Sequence, residues 1–389
     1  MMSFRAKDMF GNWSFPTDIK FGCGEINKLV DSCKELNLKK PLLVTDKNIS
    51  ETEIRFKICD LLKKSKIKFD IFHNISGNPT DLELDNAIQV FKSNQHDSVI
   101  TFGGGSALDV GKMVAFMAKQ ILSLWEFEDI GNNWKKANSN SIYPIIAIPT
   151  TAGTGSEVGR ASVITNLSKQ EKKIIFHPKV LPSKVICDPE LTVSMPANIT
   201  AGTGLDAFAH SVEAFCSPHY HPMAQGIALE GMRLVVNNLL KAYENPYDLT
   251  SRSNMMCAAL MGATAFQKGL GAIHAMSHSI GALANSHHGT TNAVCMLPVL
   301  RLNSNIVSEL FDNASAYLGI KGGFNGFYKF VEKLNQDLNI PKNLIELDVK
   351  RDTIDLLVSK SLRDPSCNGN PVKLTHQNMY KLFDETFDR

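Results

Sequence analysis

Two short stretches of this chain carry side chains whose types and spacing could hold a metal ion. Gly204-Leu-Asp-Ala-Phe-Ala-His210 sets Asp206 and His210 four residues apart, and the stretch from Gly269 to Pro298 contains His274, His278, His287 and His288. A helix turns once per 3.6 residues, so Asp206/His210 and His274/His278 would each aim two side chains in one direction. Two helices could then grip one ion. Imidazole nitrogen with a single carboxylate suits Zn, Fe, Ni or Cu, and the lack of thiolates argues against an iron–sulfur cluster or a cysteine-rich structural zinc site. Such a set around a divalent ion keeps net positive charge, which polarises a carbonyl oxygen or stabilises an alkoxide. A histidine pair at this spacing is also a common surface or core feature. Against that stand a second pair, its carboxylate, and small neighbours such as Gly271, Ala275 and Gly281 that let helices approach closely.

A second chemistry resides in Thr101-Phe-Gly-Gly-Gly-Ser-Ala-Leu-Asp-Val-Gly-Lys112, which follows a β-like run and opens a helical one. Gly103, Gly104 and Gly105 let the backbone approach a pyrophosphate, and the N–H groups of the first helical turn form an anion site. The run is not a Walker loop, because Met113 stands where a magnesium-holding hydroxyl belongs. Leu108 also replaces the third glycine of the strict dinucleotide fingerprint. A tight structural turn is the plain alternative. Asp46, at the end of Leu42-Leu-Val-Thr45, could accept hydrogen bonds from the ribose hydroxyls of NAD and repel the extra phosphate of NADP. Thr150-Thr-Ala-Gly-Thr-Gly-Ser-Glu-Val158 is a loop of small donors suited to a diphosphate or a nicotinamide ribose, or else a polar loop capping the next helix.

The elements that must position these groups fall into two halves. At 389 residues the chain is long for one domain. Up to about residue 190, short apolar runs (41–46, 69–72, 98–102, 142–149 and 185–188) alternate with polar helical segments, which predicts a parallel sheet covered by helices. Beyond, long helical patterns such as 223–243 and 251–266 dominate, with hardly any β-like run. The expected division is an NAD-binding α/β domain, Rossmann-like, over 1–190 and an all-α metal-binding domain over 191–389. A formal net charge of +2 gives no reason to expect nucleic acid or an anionic membrane as partner. The eight scattered cysteines read as reduced thiols, and the charged amino-terminal stretch lacks the apolar core of a signal peptide. A cytoplasmic enzyme is expected.

Taken in order, GGGSALDVGK, IPTTAGTGSEV, DPELTVSMP, GLDAFAHSVEA and GAIHAMSHSIGALANSHHGTTNAVCMLP resemble the iron-containing (group III) alcohol dehydrogenase family over nearly the whole chain. The resemblance implies a dehydroquinate synthase-like architecture with the active site in the cleft between two domains, and a dimer or larger homo-oligomer. It implies that Asp206, His210, His274 and His288 hold Fe2+, with Zn2+ as the alternative ion, and that His278 lies near the substrate and moves a proton. It further implies that NAD meets Asp46, Gly103, Gly104, Gly105, Ser106, Asp109, Thr150, Thr151 and Lys172. His287 has no role in the family pattern and is expected either to support the metal ligands from behind or to be structural. The activity implied is NAD-linked interconversion of a small primary alcohol and its aldehyde. After Ser-Glu-Val this chain reads Gly159-Arg160-Ala161, and a guanidinium at Arg160 would suit a carboxylate, hence an ω-hydroxy acid such as 4-hydroxybutyrate and its semialdehyde. An ion pair that merely stabilises the domain is the competing account of Arg160. Rival readings of the whole are a glycerol dehydrogenase-like or dehydroquinate synthase-like zinc enzyme, or a non-catalytic metal- or nucleotide-binding protein.

Overall fold

The structure, a computed structural model, describes residues 13–389; the charged amino-terminal stretch lies almost wholly outside them. The chain forms two compact units. Pro16–Ser194 is one, and Met195–Arg389 is the other, to which the described residues Trp13–Phe15 also belong. The division thus falls at 194/195, a few residues beyond the expected 190/191, because the turn opened by Asp188-Pro189 still packs on the α/β core through buried Leu191.

In chain order the first unit contains β1 (Asp18–Phe21), α1 (Leu29–Glu35), β2 (Pro41–Val44), α2 (Lys47–Ser50), α3 (Glu53–Lys64), β3 (Asp70–Phe72) and α4 (Asp81–Ser93). It continues with β4 (Ser98–Gly103), α5 (Gly105–Met117), β5 (Ile145–Pro149), β6 (Ala161–Asn166), β7 (Glu171–Phe176) and β8 (Lys184–Cys187). Six strands make a parallel sheet in the order β1-β8-β5-β4-β2-β3. Successive side chains point to opposite faces. Leu42, Val44 and Val99 accordingly enter one apolar core with α4 and α5, whereas Leu43, Ile100, Ile146 and Ile186 enter another with α1 and α3. A sheet buried on both faces explains why these strands read as continuous apolar runs.

Three strands were not legible as such. β1 is a short edge strand with exposed ends, and β6 and β7 form a separate antiparallel hairpin whose β7 begins with Glu171-Lys172-Lys173. Ile164 and Ile175 of the hairpin enter the core among polar neighbours such as buried Ser162 and Asn166, so no continuous apolar run marks it.

The second unit is built from α6 (Ala197–Cys216), α7 (Pro222–Glu244), α8 (Leu249–Ala265), α9 (Ala272–Ala284), α10 (His288–Leu318), α11 (Gly323–Asp337), α12 (Ile354–Ser361) and α13 (His376–Asp388). Helix α6 is its axis. Every residue from Thr200 to Cys216 is buried, and α7, α8 and α10 pack around it. Small residues permit this closeness: a Cβ on Gly289 would lie 2.1 Å from the Gly202 carbonyl oxygen. Among the described residues no helix is long and apolar enough to cross a membrane, and all eight cysteines are free thiols.

Candidate metal and nucleotide sites

Asp206 and His210 stand one turn apart on α6, as their spacing predicts, and His274 faces them from α9. The histidine-rich stretch is not one helix. It breaks at Asn285, which adopts a left-handed conformation (φ 51°), and restarts with His288 as the first residue of α10. Three helices rather than two therefore surround the candidate centre. Nε2 of His210, His274 and His288 lies 3.7, 3.6 and 3.6 Å from Asp206 Oδ1. Ligand atoms of Asp206, His210 and His274 all fall within 4.8 Å of one another. A tetrahedral ion with bonds of about 2.1 Å spaces its donors about 3.4 Å apart, so these three fit a single divalent ion, with His288 beside them as a fourth candidate.

The surroundings fix which nitrogens face the centre. His274 Nδ1 meets Glu213 Oε2 at 2.5 Å, and Glu213 Oε1 accepts the Ile273 N–H at 2.7 Å. A carboxylate accepts only, so Nδ1 carries the proton and Nε2 is left as donor to a metal. Ser277 Oγ lies 2.9 Å from His288 Nδ1 and 3.3 Å from the His288 carbonyl, and donating to that carbonyl would leave it to accept Nδ1–H. Asn292 Nδ2 donates to Asp206 Oδ1 at 2.7 Å, while its own Oδ1 is buried without a partner. Burial alone would raise the Asp206 carboxyl, yet the three imidazoles hold it far below its ordinary range. Burial would likewise keep His274 neutral, but the Glu213 and Asp206 carboxylates push it up to about 9. Without a metal that extra proton would sit on Nε2; a divalent ion would displace it, because only the neutral ring ligates.

His278 is one turn beyond His274 and points to a different partner. Its Nδ1 lies 2.8 Å from Asp364 Oδ2, and its ring stacks on His288 with centroids 5.3 Å apart. Burial would raise the Asp364 carboxyl; the His278 ring and the Ser366 N–H bring it below its ordinary value. His287 caps α10, its Nδ1 accepting the Thr290 N–H, which is a structural role.

Glu213, Asn292, Ser277 and Asp364 were not singled out from the sequence. Glu213 had a signal, being an acid three residues after His210 and seven after Asp206 on an otherwise apolar helix. Asn292, four residues after His288, had a similar one. Asp364 had none, since 86 residues separate it from His278.

The nucleotide candidates are held in the first unit. Gly103 has φ 143°, which favours glycine, and a Cβ there would meet Asp46 Oδ2 at 2.9 Å. Asp46 caps α2 through Oδ1, which accepts the Asn48 and Ile49 N–H groups. Helix α5 starts at Gly105 with Gly104 as its cap and no side-chain cap hydrogen bond, so its first-turn N–H groups fit an anion. Thr150 Oγ1 is buried without a partner beside this turn, where Thr150 N–H bonds the Gly103 carbonyl. Thr151 lies against Gly104, its Cγ2 3.4 Å from where a Cβ would be. Lys172 sits on β7 opposite Thr165, whose N–H bonds the Pro79 carbonyl.

Two of these residues serve the scaffold. Ser106 Oγ donates to the Gly77 carbonyl at 2.7 Å. Asp109 accepts from Ser156 Oγ at 2.5 Å and from Val163 N–H at 2.9 Å, and buried Lys112 donates to Ser156 and the Ala161 carbonyl. They tie the 150–158 loop and β6 to α5. Burial lowers Lys112 despite Asp109 beside it, and burial pushes Glu157 up to about 7 even with Lys112 close. Arg160 is half-buried; its guanidinium lies over the Phe176 ring, 5.4 Å from the centroid, and its charge is met by Asp129.

A parallel α/β unit with an uncapped glycine-rich helix start, and a helical unit gathering one carboxylate and three imidazoles, fit an enzyme that binds a nucleotide and a metal. Comparison with known proteins agrees. Residues 16–189 match the family model for iron-containing alcohol dehydrogenase, and residues 200–387 match the C-terminal model of the same family. The chain belongs to the iron-containing alcohol dehydrogenase family. It is 32% identical to the 4-hydroxybutyrate dehydrogenase of Cupriavidus necator, covering 95% of this chain and 98% of that protein. Identity to the 1,3-propanediol dehydrogenase of Klebsiella pneumoniae is 33%, covering 99% and 100%. Among solved structures, a 1,3-propanediol oxidoreductase superposes with a TM-score of 0.91 at 33% identity, covering 97% of this chain and 99% of that one. Sulfoacetaldehyde reductase from Bifidobacterium kashiwanohense, solved with NAD+, gives 0.87 at 28%, with the same coverage.

Proposed function

We propose that this enzyme interconverts a short ω-hydroxy acid and its semialdehyde, with 4-hydroxybutyrate and succinate semialdehyde as the first pair to try, in the cytoplasm and as a homo-oligomer. The convergence of three imidazoles on Asp206 Oδ1 carries the reading that the site is catalytic, and the Cupriavidus relative supports the acid substrate. When bound, the divalent ion supplies Lewis acidity to the substrate oxygen and the nicotinamide exchanges the hydride. Asp206, His210, His274 and His288 would hold that ion, with Glu213 and Ser277 keeping the last two histidines in the right tautomer. The start of α5 would take the NAD phosphates, Asp46 the ribose hydroxyls, and Thr150 and Thr151 the nicotinamide side. His278 would receive the alcohol proton and return it during reduction. Arg160 already has Phe176 and Asp129 as partners, so we assign it to holding the loop rather than to the substrate carboxylate.

The test is NADH oxidation by chelator-stripped protein, with and without ferrous iron or zinc, on succinate semialdehyde, 3-hydroxypropanal and propanal. Turnover restored by metal and highest on succinate semialdehyde is expected. Metal-dependent turnover confined to the neutral aldehydes would keep the enzyme class and remove the acid substrate. Arg160→Ala should change kcat/KM on all three by the same factor; a loss confined to the anionic aldehyde would return Arg160 to the substrate site.

A further inference from the structure

We propose that Asp364 is the positioning residue for His278, holding its imidazole in the Nδ1–H tautomer so that Nε2 is the atom that exchanges a proton with the substrate. The inference rests on the reading that His278 moves the alcohol proton. Both groups are buried, with side chains 8% exposed, and Nδ1 to Oδ2 is 2.8 Å. A carboxylate has no hydrogen to give, so the proton on this bond belongs to Nδ1 and the neutral ring presents Nε2 as acceptor. The ring is held from the other side by its stacking on His288 at an interplanar angle of 11°. Rotation about χ2 would break the bond to Asp364 and the stack together. Asp364 is itself anchored, because its second oxygen, Oδ1, accepts the Ser366 N–H at 2.8 Å at the start of the turn Pro365–Gly369. The carboxylate thus links this turn, far along the chain, to α9 at His278.

A purely structural role would be to cap that turn. Asparagine separates the two roles: it caps nearly as well as aspartate, and with its single oxygen accepting the Ser366 N–H it turns its NH2 toward His278. An N–H facing Nδ1 stabilises the opposite tautomer. In Ser-His-Asp hydrolases the corresponding exchange leaves geometry intact and lowers kcat by about 10⁴.

The experiment compares wild type, Asp364→Asn and His278→Ala, each metal-loaded. It reads metal content, melting temperature, kcat and KM for the alcohol, the solvent deuterium isotope effect on kcat, and the nitrogen-15 shifts of the His278 ring. Wild type should show Nδ1 protonated and Nε2 bare. Asp364→Asn should keep metal content and melting temperature, move the ring toward Nε2–H, and lose kcat by about 10²-fold or more with KM little changed. A wild-type ring already protonated on Nε2, or an Asp364→Asn ring and kcat like wild type, overturns the assignment. Full activity in His278→Ala would instead bring down the proton-transfer reading, and with it the catalytic purpose of the pair, while the nitrogen shifts would still report which tautomer Asp364 selects.

Discussion

Asp206 is buried, and an ionised carboxylate there is tolerable only because positive charge surrounds it. Ligation needs neutral imidazoles, and then Asp206 and the buried Glu213 behind His274 leave negative charge that a divalent ion would offset. Glu213→Gln should therefore keep the fold but weaken metal binding by about 10–100-fold, as loss of an outer carboxylate does. Chelator competition followed by metal analysis measures it. His274→Ala should lose the ion outright. An unchanged chelator titration in Glu213→Gln would mean that the carboxylate packs against His274 without tuning it.

At the scale of elements, the glycine-rich turn performs two jobs. It leaves the start of α5 open for an anion, and it allows strand, loop and helix to pack at distances no side chain permits. A Cβ on Gly105 would lie 2.6 Å from Thr154 Cγ2, and one on Gly111 would lie 2.4 Å from Thr101 Cβ. Gly111→Ala should cost about 1–3 kcal/mol through overpacking between α5 and β4, seen as a lower urea midpoint with NADH affinity little altered. Gly105→Ala should do the reverse: a small loss of stability and a marked loss of NADH affinity by fluorescence titration. Thr154→Ala in the same chain should recover part of that affinity, because it removes the two closest atoms. Failure of the second change to recover any binding would show that the methyl group obstructs the nucleotide itself.

For the molecule as a whole, Glu157 couples stability to pH. Burial pushes its carboxyl from an ordinary 4.5 to about 7, so between those values the folded chain keeps a proton that the unfolded chain has released. Its contribution is full below about pH 4.5 and is lost as the pH rises to about 7. The loss is on the order of 3 kcal/mol, and Glu157→Gln should flatten that part of the stability curve in urea titrations taken every half unit. A parallel decline in wild type and variant would place the titrating group elsewhere.

Much of this protein could be read before any fold was known. Continuous apolar runs announced strands buried on both faces, and fixed four-residue spacings announced which side chains share a helix face, because both depend only on local backbone geometry. Asp206 with His210 was legible for that reason, whereas His274 and His278 share α9 but turn to different carboxylates, Asp206 and Asp364. The edge strand β1 and the hairpin β6–β7 were not, since their short, polar stretches take their strand form from neighbours they pair with. Nor was Ser106 or Asp109 legible as a scaffold residue, because their partners at Gly77, Ser156 and Val163 are 29 to 54 residues distant. Sequence by itself determined which residues could carry the chemistry. Tertiary structure alone decided that His288 arrives from a third helix, that Glu213 meets Nδ1 of His274 and Ser277 meets Nδ1 of His288, and that Asp364 reaches His278 across 86 residues. The physical reason is that a hydrogen bond is fixed by distance in space, whereas periodicity reports only the turn of one helix or the pleat of one strand.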